Sequence, residues 1–233
     1  MGAIGILVIG PSGTGKSASL RNMDAKTTYL MNVHGKPLPF KTDGYKKVGP
    51  GEKPDSGNMY VTDDVSTMMK VMQFVSDSMP HVKDIVIDDW QYAMSNEFMR
   101  KANEKGYEKF TQIALHIWEL ANKPTELRDD LTVTYLTHDE EIIDSQGVRR
   151  KKAKTIGKLV DEKIVLEGMF SIVLYSDTES RDNNGVKEID HVFVTQNTGA
   201  TTAKSPMGMF SDLKISNDLK VVVDTVNDFY GRK

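Results

Sequence analysis

The sequence predicts an α/β fold: a mostly parallel central sheet flanked by helices, with a β-hairpin toward the C-terminal end. Three observations predict it. Residues 3–9 (AIGILVI) form an unbroken apolar run that leads into a glycine-rich turn and then a helical pattern, and such runs mark strands buried on both faces. Further apolar runs alternate with helical patterns as far as residue 140, the order that gives parallel strands joined by right-handed crossovers. Finally, FSIVLYSDTES and VKEIDHVFVTQ flank DNNG at residues 182–185, a strong hairpin-turn signal.

The elements follow in order. After the first strand, GKSASLRNM (15–23) reads as a helix and TTYLMNV (27–33) as a second strand. Residues 34–58 form a long loop insertion carrying four of the eight prolines; a loop of this length inside one domain is either functional or a plain surface insertion. In VSTMMKVMQFVSDSM, Val65, Met68, Met69, Met72, Val75 and Met79 recur at helical spacing and read as a core-facing stripe. KDIVIDD (83–89) is a third strand ending in acid, and WQYAMSNEFMRKAN and TQIALHIWELANKPTELRDD are helices, the second interrupted at Pro124. LTVTYLTHDE (131–140) is a fourth strand, followed by a basic hairpin or loop over 139–156 and a helix at GKLVDEKIVLEG (157–168). The loop NTGATTAKSPMGMF and a last helix, LKVVVDTVNDFYG, complete a single domain over 1–233.

Bulk composition narrows the function classes. The chain has 233 residues, a formal net charge of −3, and no cysteine. Disulfides, cysteine nucleophiles and thiolate metal sites are therefore excluded, and any nucleic-acid contact must come from a local patch. No apolar run approaches the 18 or so residues of a membrane helix, and no signal-peptide pattern precedes the first strand. A cytoplasmic location is the expectation.

The chemistry concentrates in GPSGTGKS, residues 10–17. Gly10, Gly15, Lys16 and Ser17 match G-x-x-x-x-G-K-[ST], a phosphate-binding loop. Its glycines let successive backbone N–H groups point at an anion. Residues Gly10, Pro11, Ser12, Gly13, Thr14, Gly15, Lys16, Ser17 and Ala18 are the candidate nucleotide contacts. Lys16 reaches the β- and γ-phosphates, Ser17 holds Mg²⁺, and a helix opening at Gly15 aims its positive end at the phosphates. The expected ligand is a nucleoside triphosphate with magnesium; no base-reading motif separates ATP from GTP.

IVIDD supplies the matching acid. Asp88 closes a buried strand about 70 residues after the loop, at the edge where ligands gather in open α/β sheets, and is the expected metal acid. Two roles are open to Asp89: positioning the attacking water or capping the helix that opens at Trp90. Thr137 and His138 end the fourth strand at the same edge, where a polar side chain can sense the γ-phosphate or bond locally at a strand end; His34 is a weaker candidate there. Arg149, Arg150, Lys151, Lys152 and Lys154, with Lys158 beyond, form a basic cluster. It suits single-stranded DNA or a neighbouring subunit's nucleotide, or else is a solvated hairpin tip. Lys204, in TTAKSP, is a candidate cation for an adjacent protomer's γ-phosphate.

With these pieces in place, the chain resembles the small phage-encoded RecA-like ATPases, the Sak-type single-strand annealing and recombination proteins. The resemblance rests on ILVIGPSGTGKSASLRNMD, TTYLMNVHGKPLPF, IVIDDWQYAM, LTVTYLTHDEE, GKLVDEK after a basic stretch, and TTAKSPMGMF, in that order over most of the chain. It implies one RecA-like P-loop core and ATP-dependent work on single-stranded DNA, often beside a single-strand-binding protein. It also implies homo-oligomers with ATP at subunit interfaces. By position it makes Gly10 to Ser17 the phosphate loop, Asp88 the metal acid, His138 the sensor and Lys204 the interface cation. One departure stands out: where RecA carries a water-activating glutamate after the second strand, this chain reads NVHG. Either Asp89 takes over that role, or hydrolysis is slow and ATP acts mainly as an assembly switch.

Overall fold

The first apolar run becomes the central strand of a sheet that has nine strands among the described residues. The computed structural model describes residues 2–143, 147–156, 164–183 and 185–232. In chain order the strands are β1 (Ile4–Gly10), β2 (Thr28–Asn32), β3 (Met59–Tyr60), β4 (Asp84–Asp88), β5 (Thr132–Ile143), β6 (Arg149–Ala153), β7 (Ile172–Asn183), β8 (Val186–Val194) and β9 (Lys214–Ser216). The helices are α1 (Val65–Ser78), α2 (Gln91–Arg100), α3 (Glu108–Asn122) and α4 (Leu219–Phe229).

The sheet order is β3-β2-β4-β5-β1-β7-β8-β9, with β6 paired to β5. Strands β3 to β7 along that path are parallel, whereas β7/β8, β8/β9 and β5/β6 are antiparallel. This is the expected α/β class, a mostly parallel central sheet flanked by helices with an antiparallel C-terminal hairpin. The decisive feature is that β5 lies between β1 and β4. Thr132 of β5 is level with Ile4 on one side and Asp84 on the other. The ends of all three strands therefore share one edge.

Burial on both faces explains the apolar runs. In β1, Leu7 and Ile9 join a core with α1, α2 and α3, while Ile6 and Val8 join a second core with α4. Side chains alternate across a strand, so a strand covered on both sides needs apolar residues throughout. The methionine stripe packs as expected: Met68 and Met72 are fully buried and Met69 packs at the margin. Asp64 caps α1 by accepting from the Thr67 N–H at 2.8 Å. At the other end, Arg128 donates to the carbonyls of Val75, Ser76 and Met79 and so ties down the last turn of the helix.

The helix after the glycine loop and the end of the fourth strand need correction. The helix after the glycine loop is a 3₁₀ segment over Ser17–Asn22. One of its serines competes for backbone bonding, as Ser19 Oγ donates to the Lys16 carbonyl at 2.6 Å. Six residues supply little macrodipole, so the expected anion contact would fall to the loop's own N–H groups. The fourth strand runs on to Ile143, because β6 extends its ladder. The 34–58 insertion is a loop, as expected, apart from a 3₁₀ turn over Pro54–Ser56, and it is anchored to the sheet. Leu38, Phe40 and Tyr45 pack against the α4-side core, and Lys47 bridges Met59. Finally, β9 has no counterpart in the sequence reading; it is a three-residue edge strand with little periodicity to detect. The first seven residues of the helix expected over 157–168, Lys158 among them, lie outside the described residues, as does Asn184 of the DNNG turn. Leu166–Met169 form a 3₁₀ turn.

One buried acid carries a stability cost. Asp84 lies at the edge of the sheet away from the glycine loop, and burial pushes its carboxyl up to about 7. Its Oδ1 has no hydrogen-bond partner among the described residues. The folded state then holds a proton that the unfolded chain releases near 4, so stability falls as pH rises from about 4 through about 7. Asp84→Asn is expected to raise unfolding stability by about 1–3 kcal/mol at pH 8 and by much less at pH 4, read from denaturant midpoints.

Candidate functional site

The glycine loop leaves β1 at Gly10 and turns on two glycines with positive φ, Gly13 at 85° and Gly15 at 90°. Only glycine adopts these angles without strain. Gly10 is required for a different reason: a Cβ there would stand 2.5 Å from the Ser176 carbonyl oxygen on β7. The loop is clasped from outside as well. Ser176 Oγ donates to the Thr14 carbonyl at 2.8 Å, and Asn217, just before α4, donates to Ser176 Oγ at 3.1 Å.

Lys16 folds back over the loop, donating to the carbonyls of Gly10 at 2.7 Å and Pro11 at 2.8 Å. Burial pulls its ammonium down to about 8, against the opposing pull of Asp89, Asp139 and Asp88. An incoming polyphosphate would restore the charge. Ser17 Oγ donates to Asp88 Oδ1 at 2.8 Å, bringing the two expected metal residues together. Asp88 is 2% exposed. Burial, with neighbouring Asp89, lifts it to about 6 in spite of the Ser17 bond. A hydroxyl and a carboxylate held this way are hard oxygen donors, and an electron-poor partner would relieve a buried, destabilised anion. The residues fit Mg²⁺ held by Ser17 and phosphate oxygens, with Asp88 behind its water shell. Among the described residues no cluster of three or more acidic or histidine ligands forms a separate metal centre.

Asp89 sits at φ 62°, a left-handed conformation that is costly outside glycine and that collects at functional sites. Its carboxylate does not cap α2, which has no side-chain cap bond. Instead Lys36 Nζ lies 2.5 Å from Oδ2, and His138 Nε2 lies 3.7 Å from Oδ1. Burial opposes ionisation of Asp89, yet His138 and Lys36 together bring it down to about 2. His138 is level with Gly10 in the ladder, so the expected sensor position does face the loop. Thr137 does not reach the mouth. It is buried and donates to Gln91 Oε1 at 3.3 Å, the oxygen that also accepts from the His138 N–H. His34 stacks on Tyr92 with ring centroids 4.4 Å apart, beside rather than inside the site.

Lys16, Ser17, Asp89 and His138 line a cleft of about 340 Å³ whose walls also include Gly13, Gly15, Lys36 and His191. A larger cleft, about 530 Å³ around Gly2, Pro124 and Arg232, lies at the opposite edge of the sheet and contains none of the expected residues. A family profile described as an AAA domain matches residues 3–207. The chain belongs to this AAA domain family. The match spans the glycine loop, both aspartates, the basic ribbon and Lys204, so the AAA domain is a nucleotide-binding P-loop protein of the ATPase type. Among solved structures, it is similar to the KaiC-like protein PH0186 of Pyrococcus horikoshii OT3, with 12% identity over 83% of this chain and 79% of that one, TM-score 0.45. It is also similar to the flagellar accessory protein FlaH of Methanocaldococcus jannaschii, with 9% identity over 92% and 84%, TM-score 0.47. No curated protein matches the chain.

Two expected groups lie away from the cleft. Lys204 is fastened by its backbone to Val173 of β7, donating and accepting at 2.8 Å, and does not line the cavity. The basic cluster forms β6 and the residue after it, and much of its charge faces acid across the ribbon. Lys151 is level with Glu141 and Lys152 with Glu140 in the ladder. Arg149 lies 3.3 Å from Glu141, Lys152 lies 3.6 Å from Glu140, and Lys151 sits over the Tyr175 ring. The local positive field is thus weaker than the run of five cations suggests. No helix among the described residues is long and apolar enough to cross a membrane.

Sequence reasoning missed Lys36, Gln91 and His191. Lys36 follows directly on NVHG, and its place four residues past the end of β2 was the available signal. Gln91, two residues past Asp89, and His191, on a strand distant in sequence, gave none. Lys16→Ala should lower nucleotide affinity about 100-fold or more, as expected for losing a charged donor to phosphate. Ser17→Ala and Asp88→Asn should each abolish the enhancement of binding by magnesium while leaving metal-free affinity within about threefold, both read by calorimetry.

Proposed function

We propose that this AAA domain hydrolyses MgATP and couples turnover to single-stranded DNA, in phage recombination, replication or repair. The supporting observation is that the basic ribbon and the sensor position are one structure. β5 carries His138 and continues into the ribbon, and the Lys154 N–H donates to the His138 carbonyl at 2.8 Å. Binding of a phosphate backbone to the ribbon would therefore act directly on a residue facing the glycine loop. The resemblance to phage RecA-like proteins supports DNA as the partner.

In the reaction, a water oxygen bonds to the γ-phosphorus as the bond to the β,γ-bridging oxygen breaks, leaving ADP and phosphate, and the water's proton passes to a phosphate oxygen and on to solvent. Lys16 stabilises charge on the phosphoryl oxygens. Magnesium, when bound, neutralises charge on the phosphates. Asp89 accepts a hydrogen bond from the water and orients it. A carboxylate held near 2 is a feeble proton acceptor, so turnover is slow until DNA or a neighbouring subunit rearranges the site. Because the Lys36 pair occupies Asp89, a nucleotide-switched binding module with little turnover is the second reading.

We further propose a homo-oligomer with nucleotide at its interfaces, working beside a single-strand-binding protein. Lys204 would serve the neighbouring site, since its backbone is anchored while its ammonium has no ion-pair partner among the described residues.

Single-stranded DNA should raise ATP turnover severalfold, an effect lost in Lys16→Ala and strongly reduced in Asp89→Asn. Turnover raised only by a protein partner would favour a remodelling ATPase, and tight binding without turnover the switch. Replacing Arg149 to Lys152 with alanine should weaken DNA binding about tenfold or more and flatten its salt dependence; unchanged affinity and slope would remove the ribbon from the DNA role. Mixing Lys204→Ala with Lys16→Ala protein should restore part of the activity if Lys204 acts across subunits, and no rescue at any ratio would exclude that role.

A further inference from the structure

Lys36 reaches the site from the insertion, and its placement is built rather than incidental. Asn32 ends β2 level with Asp88 and is buried. Its side chain clasps the turn that follows: Oδ1 accepts from the Gly35 N–H at 2.8 Å and Nδ2 donates to the Lys36 carbonyl at 2.7 Å. Gly35 takes φ 71° to close this turn. The backbone of Lys36 is thus fixed to the sheet edge beside Asp89, while its side chain stays 47% exposed against 5% for Asp89.

That asymmetry is informative. Two lysines, Lys16 and Lys36, and two aspartates, Asp88 and Asp89, line or border one cleft and balance each other. A triphosphate brings several negative charges into this balance. Lys16 already sits over the loop, where the inner phosphates would lie; Lys36 lines the same cleft from the insertion, beside Asp89. A half-solvated ammonium with three rotatable donors can exchange or share partners at little cost, whereas a lysine sealed into a buried pair could not.

We infer that Lys36 binds the terminal phosphoryl group of the nucleotide, and that its ammonium turns from Asp89 to that group when a triphosphate enters. This rests on the reading of the cleft as a nucleoside-triphosphate site. The exchange makes no covalent change; it leaves Asp89 Oδ2 open to accept from water only when a γ-phosphate is present. The terminal phosphate thereby unlocks the group that positions its own nucleophile. A diphosphate, which does not extend to Lys36, leaves the pair closed.

Calorimetry with a non-hydrolysable ATP analogue and with ADP, both with magnesium, tests this without relying on turnover. Lys36→Met should weaken the analogue about tenfold or more and leave ADP within twofold, the unchanged ADP affinity serving as the control for folding. Lys36→Arg should recover most of the analogue affinity. Asp89→Asn, which frees the lysine, should tighten the analogue and not ADP. Equal effects of Lys36→Met on both nucleotides, or none on either, would overturn the inference while leaving the nucleotide site intact. Wild-type protein that binds neither nucleotide would overturn the reading beneath it as well.

Discussion

The parallel ladder between β1, β5 and β4 is the constraint on which the site depends. It sets Gly10 beside His138 and carries β4 to the same edge, where Asp88 emerges. Ladder bonds and two apolar layers hold this register, because a slip of one residue would turn every side chain of a strand to the other face. A loop built on such strands inherits their rigidity. The clasp by Ser176 and Asn217 adds the opposite wall, so the phosphate loop is held from β7 and from the start of α4.

Within that frame the electrostatics are deliberately unequal. Asp88 and Asp89 are adjacent in sequence and both buried, yet one is pushed up to about 6 and the other down to about 2. Burial acts on both. What separates them is company: Asp89 has Lys36 and His138, whereas Asp88 has the Ser17 hydroxyl and the charge of Asp89 beside it. An acid that resents its own charge suits a metal; one whose charge is well compensated suits a fixed acceptor. The left-handed backbone at Asp89 is what turns the two carboxylates toward different partners.

The strands on either side of β1 do not stop where it does. β5 runs on to Ile143 and β7 to Asn183, each into an antiparallel ribbon. The nucleotide edge is therefore flanked by two projections, with Tyr175 Oη donating to Asp139 at 2.5 Å near their common base. Such an arrangement lets contacts far out on a ribbon bear on groups at the phosphate loop through continuous strands. The acid on the β5 ribbon tempers its basic residues, so an anion that binds at Arg149 or Lys152 competes with Glu141 or Glu140 for them. Binding would then be more selective than simple attraction to a cationic surface.

By itself the sequence determined the fold class, the glycine loop, the acid that closes β4 and the placement of Asp89 and His138 at one edge. These are local or periodic features: an apolar run, four residues at set spacing, an acid closing a strand. Their meaning depends on few distant contacts. Only the tertiary structure decided that Lys36 pairs with Asp89, that Thr137 turns inward to Gln91, and that the ribbon's cations face glutamates. Each of these depends on register or on how an aperiodic insertion packs, and neither is written in any local pattern. The six-residue 3₁₀ segment after the loop belongs with them, since its shape follows from side-chain bonds to the backbone rather than from the helical spacing its residues display.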